Sequence, residues 1–254
     1  MDLNNAVAIV TGSSSGVGAA TARMLAAKGC HVVINYSRSA DAAKQVAADC
    51  DALGVETLCI QADVSSDDDC RRMVDAAMDK WGRINALVNN AGTTKFVPHS
   101  QLDGLDKDDF FNIYGVNVVG PYQMTRAAEA GMRKSGNASV VNVDSVAGVY
   151  GVGSCIAYAA SKGALLTMTK SLARVLGPEI RVNAVCPGFI QGEWLEKGIG
   201  TEAYNRAKEN LEARTPLQLA CTPEMVAESI LQFIEGHAAI TGQHIVLDGG
   251  NHLL

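Results

Sequence analysis

The stretch AVAIVTGSSSGVGAATARMLAAKG, residues 6–29, passes from a short apolar, β-branched run through a glycine-rich turn into an alanine-rich run closed by Gly29. Residues 6–10 are too short for a helix and too uniformly apolar for a half-exposed strand. They read as a strand buried on both faces. The next run, to Lys28, reads as a helix, and Gly29 as its stop. A buried strand running directly into a helix is the first half of a parallel crossover unit. In the turn TGSSSGVG (11–18), Gly12, Gly16 and Gly18 permit a tight bend. They also let backbone N–H groups and the helix N-terminus approach a pyrophosphate. The spacing is G-x-x-x-G-x-G rather than the commoner G-x-G-x-x-G, and such a turn also serves geometry alone.

The same alternation continues along the chain. HVVIN (31–35) reads as a strand, 40–53 as a helix ending at Gly54, and TLCIQADV (57–64) as a third strand. Residues 67–81 read as a helix stopped by Gly82, and NALVNNAG (85–92) as a strand entering a turn. A longer helix is expected over roughly 106–133, then the strand SVVNVDS (139–145). A helix at 157–176 ends at Gly177-Pro178, followed by the strand RVNAVCPG (181–188), a helix at 222–235 and the strand HIVLDGG (244–250). This pattern predicts an α/β fold: a single domain over 1–254, Rossmann-type, with a doubly wound parallel sheet of about seven strands and helices on both faces. No linker, repeat or low-complexity tract interrupts it. Residues 189–221 break the rhythm, being long, charged and weakly periodic. They read either as a substrate lid after a strand end or as a solvated excursion.

Composition narrows the function. The 254 residues are 48% hydrophobic but only 5% aromatic, with a net charge of −6. No basic run interleaves with aromatics, so nucleic acid is not an expected partner. No apolar run approaches the ~18 residues of a membrane span, and the N-terminus lacks the marks of a signal peptide. The seven cysteines are scattered and form no Cys-x-x-Cys pair. Neither disulfides nor a metal site are expected, and a reducing cytoplasm is the simplest setting.

The second strand ends in Asn35-Tyr36-Ser37-Arg38, where an acidic residue would select NAD through the ribose hydroxyls. Nothing there repels a 2′-phosphate, and Arg38 is able to pair with one, which favours NADP over NAD. Arg38 also reads as an ordinary exposed loop arginine. Asp63, ending the third strand, suits either the adenine amino group or the cap of the next helix.

Tyr158 and Lys162, four apart on an expected helix, share one face. A phenol titrates near roughly 10, and a neighbouring ammonium lowers that value toward what an acid/base partner for alcohol and ketone needs. Tyr204 and Lys208 repeat the spacing, so the motif alone does not decide. Ser145 ends a strand thirteen residues before Tyr158, whereas Gln191 holds the matching place before Tyr204. Tyr158 is set among small residues (YAASKGA), while Tyr204 sits among charges (EAYNRAKEN), as on an exposed helix face. Tyr158 and Lys162 are therefore the expected site.

TGSSSGVG, NNAG (89–92), Asn117, Ser145, YAASK (158–162), PG (187–188) and TGQHIVLDGG (241–250) together resemble the short-chain dehydrogenase/reductase family over essentially the whole chain. The chain looks most like the bacterial 3-oxoacyl-[acyl-carrier-protein] reductases and their relatives, which include glucose dehydrogenases and other ketoreductases. The resemblance implies that Tyr158 exchanges the proton with the substrate oxygen, Lys162 tunes it and bonds the nicotinamide ribose, and Ser145 polarises the carbonyl. Asn117 would position a water linking Lys162 to solvent; it also reads as a helix-interior Asn bonded to backbone. The cofactor side would comprise Gly12, Ser14, Ser15, Gly16, Val17 and Gly18, then Ser37, Arg38, Asp63 and Val64. Asn90, Ala91 and Gly92 would line the ribose, and Pro187, Gly188 and Ile190 the carboxamide, with Tyr158 and Lys162 completing the set. A homotetramer built through the helices at 106–133 and 157–176 is implied, with an acyl-carrier protein as one possible partner.

Several positions depart from the family pattern. Ser15 stands where NADP-using relatives often carry Arg or Lys. Asp144 precedes Ser145 where a small neutral residue is commoner; it either bonds backbone locally or faces the pocket and disfavours anionic substrates. Gln191-Gly192 replaces the usual Thr near the carboxamide, and Cys155 and Trp194 are expected to shape the pocket. Arg133, Lys134 and Arg174 are candidates for basic surface near a carrier-protein entrance, or simply solvate helix faces. The leading expectation is an NADP(H)-dependent ketoreductase or alcohol dehydrogenase, acting on a 3-oxoacyl thioester, a small hydroxy compound or a sugar. A non-catalytic dinucleotide sensor is the competing class.

Overall fold

The computed structural model describes residues 1–236 and 238–254. Seven strands form one wholly parallel sheet: β1 (Val7–Val10), β2 (His31–Tyr36), β3 (Thr57–Gln61), β4 (Ala86–Asn89), β5 (Ala138–Val143), β6 (Ile180–Pro187) and β7 (His244–Leu247). Their order is β3-β2-β1-β4-β5-β6-β7. Ala8 faces Val32 on one side and Ala86 on the other, so the opening strand lies inside the sheet, between β2 and β4. The chain winds outward to β3, returns across β1 to β4, and winds outward again. The reversal between β1 and β4 opens a crevice at their C-terminal ends, where ligands of such sheets bind.

Side chains alternate along each strand and feed two cores. Ala8, Val10, Ile34, Val88 and Val185 pack under α1 (Gly16–Ala27), α2 (Ala40–Asp51) and α10 (Pro223–Glu235). Ile9, Val33, Leu87, Val140 and Val182 pack under α3 (Asp67–Trp81), α5 (Gly120–Ser135) and α7 (Ile156–Leu176). Both faces are thus covered, which is why the strands carry so few polar residues. Among the described residues no helix is long and apolar enough to cross a membrane.

Local chemistry sets the boundaries. Ser66 accepts the Asp69 N–H to start α3, three aspartates fill its first turn, and Gly82 ends it at φ 68°. The expected long helix at 106–133 is a continuous run in three parts. These are α4 (Lys107–Tyr114), a π-type turn at Gly115–Val119, and α5. Asp106 starts it with a reciprocal cap to Asp109.

Five strands end sooner than the sequence suggests: β3 at Gln61, β4 at Asn89, β5 at Val143, β6 at Pro187 and β7 at Leu247. Beyond those points the chain leaves the ladder. Residues 189–221 are more ordered than their weak periodicity predicts. They contain α8 (Glu193–Ile199) and α9 (Thr201–Arg214), and a bridge between Ile190 and Cys221 joins the two ends of the segment.

Candidate active site

The glycine-rich turn closes against the β4 end. Gly12 adopts φ +61°, and a Cβ there would sit 2.9 Å from the Ala91 Cα. At Gly18 a Cβ would meet the Asn90 amide nitrogen and the Gly12 carbonyl, each at 2.5 Å. Asn90 donates to the Thr11 and Gly12 carbonyls at 2.9 and 3.0 Å. Beyond this packed floor, Ser15 begins α1 without a side-chain cap, and the first turn holds no acidic residue. A Cβ on Gly16 would meet nothing within 4 Å. The first N–H groups of α1 therefore face open space with no competing anion, which fits a pyrophosphate.

The rest of the expected cofactor surface lies along the same edge. Ser14, Ser15, Ser37, Arg38, Asp63, Asn90, Ala91 and Gly92 are exposed or half-buried, whereas Val17, Val64 and Pro187 are buried behind them. Asn35 is turned inward. Its side-chain oxygen accepts the Gly12 N–H at 2.9 Å, and its amide donates to the Ala62 carbonyl at 3.1 Å. Ser37 and Arg38 are thus the first fully exposed side chains past β2, and among the described residues Arg38 has no ion-pair partner. Asp63 does not cap α3, since Ser66 does. One of its carboxylate oxygens accepts the Ser65 N–H and hydroxyl at 2.9 and 2.7 Å, holding the turn.

Ser145, Tyr158 and Lys162 converge at the ends of β5 and α7. Ser145 starts the short helix α6 (Val146–Tyr150), and its hydroxyl oxygen accepts the Ala147 N–H at 3.1 Å. The hydroxyl proton is left free to donate. α6 docks directly on α7: a Cβ on Gly148 would lie 2.6 Å from the Lys162 carbonyl carbon. Lys162 is buried, and its ammonium donates to the Val143 carbonyl at 2.8 Å. The same nitrogen is 5.6 Å from the centroid of the half-buried Tyr158 ring. Cys155 caps α7 by accepting the Tyr158 N–H at 3.4 Å. With Val97, Ile113 and Ala157 it forms the wall against which that ring packs.

Asn117, in the π-type turn, is fully buried, and its side chain is committed. It accepts the Thr93 N–H at 2.9 Å and donates to the Thr93 carbonyl and the Ser161 hydroxyl, each at 3.0 Å. It stitches the loop after β4 to α7 beside Tyr158 and Lys162. Asp144 is buried too, and it bonds backbone rather than facing the pocket: its carboxylate accepts the Ser145 N–H at 2.7 Å.

Tyr204 is not on an exposed face. It is 9% exposed, packs on Phe189 with ring centroids 5.2 Å apart, and its hydroxyl accepts the Gly192 N–H at 3.1 Å. The charges around it in sequence point elsewhere on α9, where Lys208 pairs with Glu212. Tyr204 thus packs the 189–221 segment on itself, while the Lys208 pair stays within α9. Gln191 is likewise structural, donating to the Ala220 carbonyl at 2.9 Å. Trp194 is half-exposed and leans on Phe96, 5.6 Å between centroids. Between this segment and α6, Val146, Phe189, Leu211, Leu219, Tyr150 and His252 line a cavity of about 260 Å³. Its walls are mostly apolar.

The basic residues considered for a carrier-protein entrance lie at the wrong end. Arg133 and Lys134 finish α5 and Arg174 nears the end of α7. Those helices run back to the N-terminal edge of the sheet, opposite the site. Arg133 is moreover held by Glu129 and Glu179.

Thr11 was missed by sequence reasoning. Its hydroxyl oxygen accepts the N–H groups of Asn90 and Ala91, both at 3.0 Å, and so sets the β4 turn. A buried row also links Asn89 to Asn142 at 2.9 Å and Asn142 to Thr169 at 2.9 Å. Two asparagines within otherwise apolar strands were the available signal.

A family model described as Enoyl-(Acyl carrier protein) reductase matches residues 12–252. The chain is 43% identical over 248 residues to a protein named as putative ketoacyl reductase 2 of the granaticin polyketide synthase of Streptomyces violaceoruber, covering 98% of this chain and 96% of that one. It is 36% identical over 247 residues to a 3-oxoacyl-[acyl-carrier-protein] reductase of Synechocystis, covering 96% of each. A crystal structure described as a putative short-chain dehydrogenase/reductase from Burkholderia xenovorans superposes with a TM-score of 0.91 at 42% identity, covering 98% of this chain and 99% of that one. NAD+-bound xylitol dehydrogenase superposes at 0.88 with 27% identity, covering 98% and 100%.

Proposed function

From the premise that this chain belongs to the short-chain dehydrogenase/reductase family and is an oxidoreductase of CH–OH and ketone groups, we propose that it is an NADP(H)-dependent ketoreductase of 3-oxoacyl thioesters. One observation carries the chemistry. A buried ammonium, a tyrosine one turn before it and a serine with a free hydroxyl proton are locked together by the α6–α7 contact at Gly148.

The reduced nicotinamide, when bound, supplies the hydride that forms the new C–H bond at the carbonyl carbon. Ser145 donates a hydrogen bond to the substrate oxygen and polarises it. Tyr158 gives its phenol proton to that oxygen as the C=O π bond becomes an alcohol. The resulting phenolate is held by the Lys162 charge and is reprotonated from solvent. Asn117 contributes by fixing Thr93 and Ser161 around this pair, on the path by which water would reach Lys162.

NADP is favoured over NAD because Asn35 is turned inward and offers no acid to the ribose, leaving the unpaired Arg38 for a 2′-phosphate. The thioester class is favoured because the two curated relatives described above are named for ketoacyl reduction. The mostly apolar cavity under the lid suits an acyl chain. The acyl group would arrive on a carrier protein, docking on surface other than Arg133, Lys134 and Arg174.

NADPH oxidation with β-keto thioesters, cyclic ketones and sugars tests the reading. Turnover is expected with the thioesters. Tyr158→Phe is expected to lower it by roughly 10²–10⁴-fold while leaving NADPH binding intact. Undiminished turnover in that variant would remove the mechanism, and turnover with sugars alone would remove the substrate class.

A further inference from the structure

Asp144 is a charged residue that the reaction scheme leaves without a part. It is 2% exposed and lies between β5 and Ser145. Its backbone N–H donates to the Val185 carbonyl at 2.8 Å, and one carboxylate oxygen accepts the Ser145 N–H at 2.7 Å. The other oxygen, Oδ2, is buried with no hydrogen-bond partner among the described residues. A buried carboxylate oxygen without a donor is unfavourable, and such groups concentrate where charge is used.

Among the described residues, two titratable groups sense its charge. Lys162 comes from α7, its ammonium already bonded to the Val143 carbonyl one residue before Asp144. Cys186 comes from β6, and burial together with the Asp144 charge pushes its thiol up to about 12. Cys186 therefore stays neutral. α6 adds no Lys, Arg, Asp or Glu. Burial raises the Asp144 carboxyl to about 7, against the opposing pull of the Lys162 charge and the Ser145 N–H.

We propose that Asp144 is a positioning residue that acts through Lys162 as a proton-dependent brake on Tyr158. Protonated, it leaves the whole ammonium charge to the phenolate. Ionised, it offsets that charge and returns the advantage to the neutral phenol. The inference rests on the roles proposed above for Tyr158 and Lys162.

Charge alone fixes the sign. A negative charge beside Lys162 opposes a second negative charge on Tyr158. Removing it makes the phenolate easier to form, so alcohol oxidation should switch on, and ketone reduction switch off, at lower pH. Two variants of the full-length protein provide the test: Asp144→Asn, which keeps the shape, and Asp144→Ser, which restores a small neutral residue.

The first measurement is the pH dependence of kcat/KM in both directions. The second is the phenolate absorbance of the NADP-bound protein during pH titration, taken as the difference between each form and the same form carrying Tyr158→Phe; it needs no substrate. Both midpoints are expected to fall by about half a pH unit or more in each variant. Unchanged midpoints in folded variants would overturn the proposal, as would failure of both variants to fold, which would make Asp144 purely structural. If Tyr158→Phe alone retains full turnover, the fault lies instead with the catalytic reading.

Discussion

Arg38 is the residue on which the proposed preference for NADP turns. The sequence shows only that no acid ends β2. The structure adds that Asn35, the residue nearest to such an acid, is spent on Gly12 and Ala62 and does not face a ribose beside Arg38. A charge-assisted hydrogen bond of about 1.5–3 kcal/mol corresponds to a change of roughly 10- to 100-fold. Arg38→Ala should therefore lower the NADPH-to-NADH ratio of kcat/KM by that much, mainly through KM for NADPH. An unchanged ratio would place 2′-phosphate selection elsewhere. Residue-scale legibility was uneven. The placement of Ser145 after β5 and of Tyr158 and Lys162 on α7 was readable because it follows from spacing along one strand–helix unit. Tyr204 was misread because its charged neighbours describe the outer side of α9, whereas its ring turns inward onto Phe189. The commitment of Asn117 to Thr93 and Ser161 depends on three separate segments meeting, which no local pattern records.

At the scale of elements, the strands and most helices were legible because their signals are local: apolar runs, caps and glycine stops. The π-type turn at 115–119 and the helices α8 and α9 were not. The former depends on how two helical runs share one axis, and the latter lack a wide apolar stripe because little of them is buried. The contact of α6 with α7 is the element pairing that the site depends on. A methyl group at Gly148 would fall 2.6 Å from the Lys162 backbone, while one at Gly163 would meet the Gly148 carbonyl at an ordinary 3.6 Å. Gly148→Ala should thus force α6 outward, carrying Ser145 with it. Overpacking of this kind costs about 1–3 kcal/mol, so a Tm several degrees lower and a reduced kcat are expected. Gly163→Ala, on the other face of the same contact, should change neither by much. Thermal melts and steady-state rates on the pair decide the matter; equal tolerance at both positions would detach Ser145 placement from this contact.

The whole molecule divides its labour along one sheet edge. In the proposed reading the nucleotide crevice is built from the β1, β2 and β4 ends, the proton chemistry from the β5 end and α7, and a lid from residues 189–221 beyond β6. Every piece lies at the C-terminal ends of parallel strands, so the flanks of α4, α5 and α7 are free for other use. Those flanks are unexpectedly apolar for a charged surface. Phe111, Val119 and Tyr122 on the α4–α5 run, with Ile156 and Val175 on α7, are all exposed. Leu253 and Leu254 add a second exposed apolar group at the C-terminus. Exposed apolar side chains in two places on one chain suit assembly about two axes. We expect a homotetramer of the 26.6 kDa chain. Light scattering coupled to size exclusion should return about four chain masses at micromolar concentration. Phe111→Glu together with Tyr122→Glu should break the assembly across one axis, halving the mass while leaving the other face paired. A wild-type protein that runs as a monomer at these concentrations would mean that both faces serve something other than self-association. A charge variant that stays tetrameric would leave the α4–α5 flank outside the interface and assign assembly to α7 and the C-terminal end.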